Sequence, residues 1–423
     1  MIRRRLIGTS AAGTAREAGG RPLRIAQVAP PFERVPPVAY GGTERIVHAL
    51  AVELTRRGHE VTTFASGDSV VPGRLIPVVP HALRPSGYGG DPWPYYVAEV
   101  LDVLARQEEF DVIHVHLEWA NVLLARAAET PVVGTFHGRI DAPAGPDILR
   151  HDVGGMVAIS RAHARTYPDM HWAGVVHNGL DLSAAPFEDR RSNDLVFVGR
   201  VAPEKGIVDA IEVARLAGRR LRIAAKVGTK PDERAYYEEV FRPALAASDA
   251  EYLGELSAAD RDALLASAHA VVMPGSWPEP FGLVAIESLA CGTPVIARRV
   301  GALPEIVREG IDGFFGDDPA QLAFHVDRVD GLDRLAIRRS VMERFSAERM
   351  TDAYERIYRQ QLERGATPER QGARQLVPIA VNAEPAGIDE VALEPRGLDG
   401  EPPVRLPSGR VATLDPGSSA DRR

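Results

Sequence analysis

Two series of short β-branched runs, each run separated from the next by a longer segment of helical period, follow one another along this chain. Strands divided by helices pair in parallel, because the crossover helix carries the chain back to the same sheet edge. The first series starts at "LRIAQVAP" and continues through "EVTTFAS", "GRLIPVVP", "FDVIHVH", "TPVVGTFHG" and "GGMVAIS"; the second restarts at "DLVFVGR" and runs through "RLRIAAKVG", "AEYLGEL", "HAVVMPG" and "TPVIARR". The expected fold class is therefore α/β, with two doubly wound sheets in succession. At 423 residues, 45% of them hydrophobic, the chain has material for two cores.

The break between the series sets the domain boundaries. "DLSAAPFEDRRS" is polar and loop-like, so residues 21–185 are expected as one lobe and 186–345 as the other. A final helix over 346–361, "SAERMTDAYERIYRQQ", has Met350, Tyr354, Ile357 and Tyr358 at helical spacing, a stripe that calls for a partner surface; it should cross back onto the first lobe. Residues 1–20 and 362–423 are expected to be disordered. The second of these segments has no aromatic residue and many Pro and Gly, so it has too little apolar surface to offset ordering.

Composition narrows the function. A formal charge of −8 and a pI near 5.9 argue against nucleic-acid binding, which favours a basic face. One cysteine, Cys291, excludes a disulfide framework and a Cys-rich metal site, fits a reducing compartment and so a cytoplasmic location, and reads as a small core residue. Only Leu6 and Ile7 stand between the N-terminal arginines and Gly8, too few for a signal-peptide core, and no run of eighteen apolar residues occurs. An integral membrane segment is not expected; peripheral membrane contact stays open.

The motifs that could carry chemistry lie where strands end and helices begin. In "WPEPFGLVAIESLACGTPVIA" a helix is expected from Phe281 to Ala290, with Pro280 at its start and Gly292 past its end. Its free N-terminal amides form an anion site that Gly282 lets a phosphate approach. Glu279 precedes that terminus and Glu287 lies within the helix. At a rise of ~1.5 Å per residue the pair stands on the order of 12 Å apart, too far for a glycosidase acid and nucleophile. Two readings remain: each carboxylate accepts hydroxyls from a different part of one long ligand, or both are solvated residues beside a core helix. In "FVGRVAPEKG", Arg200 and Lys205 follow a strand's carboxyl end, where open α/β sheets bind ligands. Only Lys205, Lys226 and Lys230 are lysines in this arginine-rich chain, which favours a specific use for Lys205. Gly41 and Gly42 in "YGGTER" read either as a tight turn or as a close backbone approach. His137 in "TFHG" meets a glycine loop and suits substrate contact. His114 and His116 share a strand face, but no third ligand follows at metal spacing, so a polar strand-end cluster is the better reading.

Together "YGGTER", "TFHG", "VGRVAPEKG" and "PEPFGLVAIESLACGTPVIA" resemble the retaining glycosyltransferases of family 4, glycogen-synthase-like enzymes of the two-lobed GT-B fold. The resemblance covers about residues 21–361 and is most specific at Glu279 and Glu287. It implies two Rossmann-like domains facing across a cleft, an acceptor-side first lobe and a nucleotide-sugar-binding second lobe. The implied reaction moves a hexosyl-type sugar from a nucleoside-diphosphate sugar to an unidentified acceptor: a sugar, a lipid-linked molecule or a small molecule. By resemblance Glu287 holds the ribose, Glu279 contacts the donor sugar, and Arg200 and Lys205 neutralise the diphosphate with the amides around Phe281, Gly282 and Leu283. Gly41 and Gly42 close over the phosphates and His137 touches the sugar. No metal and no cofactor are implied, the sugar nucleotide being a substrate. Two other readings keep the nucleotide site: a nucleotide-sugar epimerase of GT-B fold, and a non-catalytic sugar-nucleotide-binding protein.

Overall fold

The computed structural model describes residues 21–38, 41–188 and 191–365; the segments 1–20 and 366–423 lie outside the described residues. A seven-stranded parallel sheet comes first. It consists of β1 (Arg24–Val28), β2 (Glu60–Ser66), β3 (Arg74–Val79), β4 (Val112–Val115), β5 (Val132–Thr135), β6 (Met156–Ala158) and β7 (Gly174–Val175), in the order β3-β2-β1-β4-β5-β6-β7. A six-stranded parallel sheet follows, from β8 (Leu195–Val201), β9 (Leu221–Val227), β10 (Glu251–Gly254), β11 (Ala270–Met273), β12 (Val295–Ala297) and β13 (Gly313–Phe315), in the order β10-β9-β8-β11-β12-β13. Each sheet starts in the middle and winds outward both ways, which opens a crevice at the carboxyl ends of its central strands. Strands buried on both faces explain the nearly continuous apolar runs: Val112, Ile113 and Val115 of β4 and Val271 and Val272 of β11 are all fully buried. The three-residue β13 and two-residue β7 are too short for periodicity to mark them.

The chain passes between the lobes twice, and the two passages touch. Leu180 N donates to Phe345 O at 3.1 Å, and Ala347 N donates to Leu180 O at 3.1 Å. The helix Ala347–Gly365 then lies on the first lobe, with Met350, Tyr354, Ile357 and Tyr358 buried. Arg57 bonds Asp352 at 2.7 Å and pairs with Glu355, and His59 Nε2 meets Glu355 Oε1 at 2.6 Å. This helix runs past residue 361, which corrects the expectation of disorder at 362–365: Gln361 is buried and Leu362 packs against the core, so the apolar stripe continues for another turn.

Two helix starts also differ from expectation. The helix after the first glycine pair begins at Gly42, so of the "VAYGGTER" stretch that reads as a loop ahead of a helix starting at Ile46, Thr43, Glu44 and Arg45 form the helix's first turn. The helix expected from Phe281 begins at Leu283, because Gly282 has φ 108° and caps it; Pro280 stands outside, its carbonyl accepting from Ser160 Oγ at 2.6 Å. No helix among the described residues is long and apolar enough to cross a membrane.

Candidate active site

A cavity of about 520 Å³ lies between the carboxyl ends of the two sheets. Gly41, Gly42, His137, Arg200 and Lys205 line it, as do Glu279, Phe281, Gly282, Leu283 and Glu287, so every residue singled out for the site reaches one space. The helix Leu283–Ala290 supplies its floor and points its N-terminus into it. The glycine pair of the first lobe comes down onto that terminus: a Cβ on Gly42 would stand 3.2 Å from Leu283 Cδ1. A side chain there would press on the tip of Leu283, so glycine lets the two lobes meet without displacing it. Phe281 offers the cavity little beyond its backbone, since its ring is buried against His177 and Phe345, with centroids at 5.9 and 5.7 Å.

The two glutamates are held by different cations. Glu279 pairs with Lys205, whose ammonium also lies 4.8 Å from the centre of the Trp277 ring. Ala302 N fixes the Glu279 backbone, donating to its carbonyl at 2.9 Å. Glu287 pairs with Arg45 from the opposite lobe and lies 3.4 Å from Arg261 of its own. Arg200, expected to face a ligand together with Lys205, bonds Glu233 at 2.5 Å and Glu204 at 2.9 Å; it lines the cavity but is braced by carboxylates.

His137 ends a buried hydrogen-bond chain. Gln27 donates its Nε2 to Tyr358 OH at 3.3 Å and turns Oε1 to His116 Nε2 at 2.9 Å. That oxygen only accepts, so His116 Nε2 carries the proton. Burial holds His116 well below the usual imidazole range, so its Nδ1 accepts from His137 Nε2 at 2.9 Å. Burial, aided by His163, also pulls His137 down to about 3. A neutral ring protonated on Nε2 leaves Nδ1 as an acceptor, suited to a ligand hydroxyl. His114 bonds Tyr358 OH at 2.7 Å and Thr135 Oγ1 at 2.8 Å. Both histidines of "DVIHVH" thus act as interior hydrogen-bond groups.

Glu118 follows β4 with φ 52°. Its Oε1 accepts from the amides of His137 at 3.2 Å and Gly138 at 3.0 Å, while Oε2 is buried without a partner. Burial raises its carboxyl to about 7 against the pull of those amides. Glu44 is likewise pushed up to about 7 by burial. Both line the cavity.

This architecture matches known families. Residues 40–184 match Glycosyltransferase Family 4, and residues 181–332 match Glycosyl transferases group 1. The chain belongs to the GT-B glycosyltransferases related to glycogen synthase and family 4. It is 29% identical to a glycogen synthase of Mycobacterium tuberculosis over 339 residues, covering 66% of this chain and 79% of that protein. It is also 29% identical over 411 residues to a D-inositol 3-phosphate glycosyltransferase of Mycobacterium bovis, covering 82% and 84% of the two chains. Among solved structures, AviGT4, a glycosyltransferase involved in avilamycin A biosynthesis, superposes with a TM-score of 0.60 at 26% identity over 81% of this chain and 98% of that one. This glycosyltransferase therefore moves a sugar from a nucleoside-diphosphate donor. Among its described residues no group of three or more His, Cys, Asp or Glu is arranged to hold a metal ion.

Sequence reasoning passed over Glu44, Arg45, Glu118 and Arg261 of this glycosyltransferase. Glu44 and Arg45 directly follow the glycine pair, and Glu118 follows a strand's carboxyl end; position after a strand was the usable signal for these. Arg261 sits inside the helix Ala258–Ser267 and carries no such mark.

Proposed function

We propose that this glycosyltransferase transfers a hexosyl-type sugar with retention at the anomeric carbon and without a divalent metal, the second lobe binding the donor and the first the acceptor. The supporting observation is the pair Glu279 and Glu287 flanking one helix N-terminus, each with a cation at hand. Glu287 takes the ribose hydroxyls in this reading. The diphosphate lies over the amides of Gly282 and Leu283, beside Lys205 and Arg200. The donor sugar then falls between Glu279 and the Nδ1 of His137, and Gly42 closes the roof.

Charge on the departing diphosphate is met by Lys205, Arg200, Arg45 and the helix dipole, which is the reason no metal is needed. Each charge-assisted contact of this kind contributes roughly 1.5–3 kcal/mol, about ten- to a hundredfold in rate where it acts in the transition state. No protein carboxylate serves as nucleophile. The acceptor oxygen bonds the anomeric carbon as the bond to the diphosphate breaks, and its proton passes to the leaving phosphate oxygen on the same face.

A thermal-shift panel of UDP, GDP, ADP and TDP sugars selects the donor, and proton NMR of the product reads its anomeric configuration in buffer with EDTA. Retained configuration and full activity in EDTA are expected. An inverted product, or activity lost in EDTA and restored by manganese or magnesium, would contradict the proposal. Interconversion of the donor without transfer would instead identify an epimerase.

A further inference from the structure

The first-lobe wall of the cavity has a chemistry of its own. Glu44, Arg84, Tyr96 and Glu118 line it beside Phe32. The rings form one apolar ledge, with Tyr96 edge-on to Phe32 at 5.8 Å and to Trp93 at 6.3 Å. Arg84, the cation of this wall, is already engaged: it bonds Glu33 Oε1 at 2.6 Å and lies 6.0 Å from the Phe32 ring centre. Arg45 reaches across to Glu287 and so belongs to the donor side. Two acidic groups thus face this half of the cavity, and the buried Oε2 of Glu118 has no partner.

Resting on the transfer reading above, we infer that the acceptor is an uncharged sugar or cyclitol ring, bound by hydroxyls donated to Glu118 and Glu44 with one ring face against Tyr96 and Phe32. Hydroxyls satisfy a carboxylate with free lone pairs, and aromatic ledges cover the C–H face of a ring. A phosphate or carboxylate on the acceptor would lie next to the donor's own diphosphate and beside Glu44 and Glu118, carboxyls that burial raises to about 7 and that offer it negative charge or none, with the charge of Arg84 already offset by Glu33. Like charges in a partly desolvated site disfavour that strongly. The preference differs from that printed in the name of the relative from M. bovis, whose substrate is an inositol phosphate.

The test uses the full chain and the donor selected by thermal shift. Steady-state transfer is measured to methyl glucoside, methyl mannoside, methyl galactoside and myo-inositol, and to glucose 6-phosphate and inositol 1-phosphate. At least one neutral ring should be used with kcat/KM ten or more times that of any phosphorylated one. Glu118→Gln and, independently, Glu44→Gln should raise KM for that ring about tenfold, while calorimetric affinity for the donor's nucleoside diphosphate stays within about twofold. Preference for a phosphorylated acceptor, use of none of the neutral rings, or an unchanged acceptor KM in both variants would overturn the inference. Failure of the transfer reading would look different: no sugar nucleotide would bind, and none would be hydrolysed in the absence of acceptor.

Discussion

His137 is half-buried and desolvation keeps its ring neutral, while the Gln27–His116 chain makes Nε2 its donor nitrogen. That state has a consequence for stability. In the unfolded chain the imidazole takes up a proton near pH 6.5, whereas in the folded protein it does so only near 3. Between those values the unfolded state binds more protons, so this group's contribution is present above about pH 6.5 and is lost as pH falls toward 3. His137→Gln carries none of that dependence. The difference in Tm should therefore move in the variant's favour as pH is lowered from about 7 to about 4, and a pH-independent difference would contradict a desolvated neutral ring. The sequence made His137 and Glu279 legible because each sits at a strand or helix end beside glycine or proline, and Glu287 because it interrupts an otherwise apolar helical run. It could not show that Arg45 pairs with Glu287 or that His137 donates to His116, since those partners are 242 and 21 residues away and meet only through the fold.

At the scale of elements, alternation of strand and helix was enough to read both sheets apart from their edge strands β7 and β13, because parallel strands buried on two faces leave long apolar runs. Helix starts were less legible. Gly282, at φ 108°, delays one helix by two residues relative to the expected Phe281, and Gly42 begins the other before its apolar stripe does. The final helix was readable from its stripe, but the first-lobe side chains that receive it were not. Tyr354 is fully buried and its hydroxyl lies 2.9 Å from Thr135 Oγ1 of β5. Tyr354→Ala should destabilise the protein by about 3–5 kcal/mol, as large-to-small core changes of aromatic residues do. Tyr354→Phe loses the hydrogen bond alone, about 1 kcal/mol. Urea unfolding measures both, and a loss under ~1 kcal/mol for the alanine variant would show that the helix contributes little by packing there.

Across the whole molecule, the lobes meet through a few directed contacts beside the cavity. Glu305 of the second lobe accepts from the amides of Arg161 at 3.0 Å and Ala162 at 2.7 Å and meets His177 Nε2 at 2.9 Å. Glu305→Ala leaves those donors without a partner, at roughly 1–3 kcal/mol, and should enlarge the radius of gyration in solution scattering as the lobes part. An unchanged scattering profile would assign Glu305 a local role only. The account as a whole rests on one donor spread along the second lobe, its nucleotide at Glu287 and its sugar at Glu279. Calorimetry with the bare nucleoside diphosphate, set beside steady-state turnover of the intact donor, tests this most directly. Glu287→Gln should weaken the diphosphate about tenfold, since a ribose contact is present in product and substrate alike. Glu279→Gln should leave that affinity within about twofold yet lower turnover, because its partner is the sugar. Equal losses of diphosphate affinity in the two variants, or no change in either, would contradict the account.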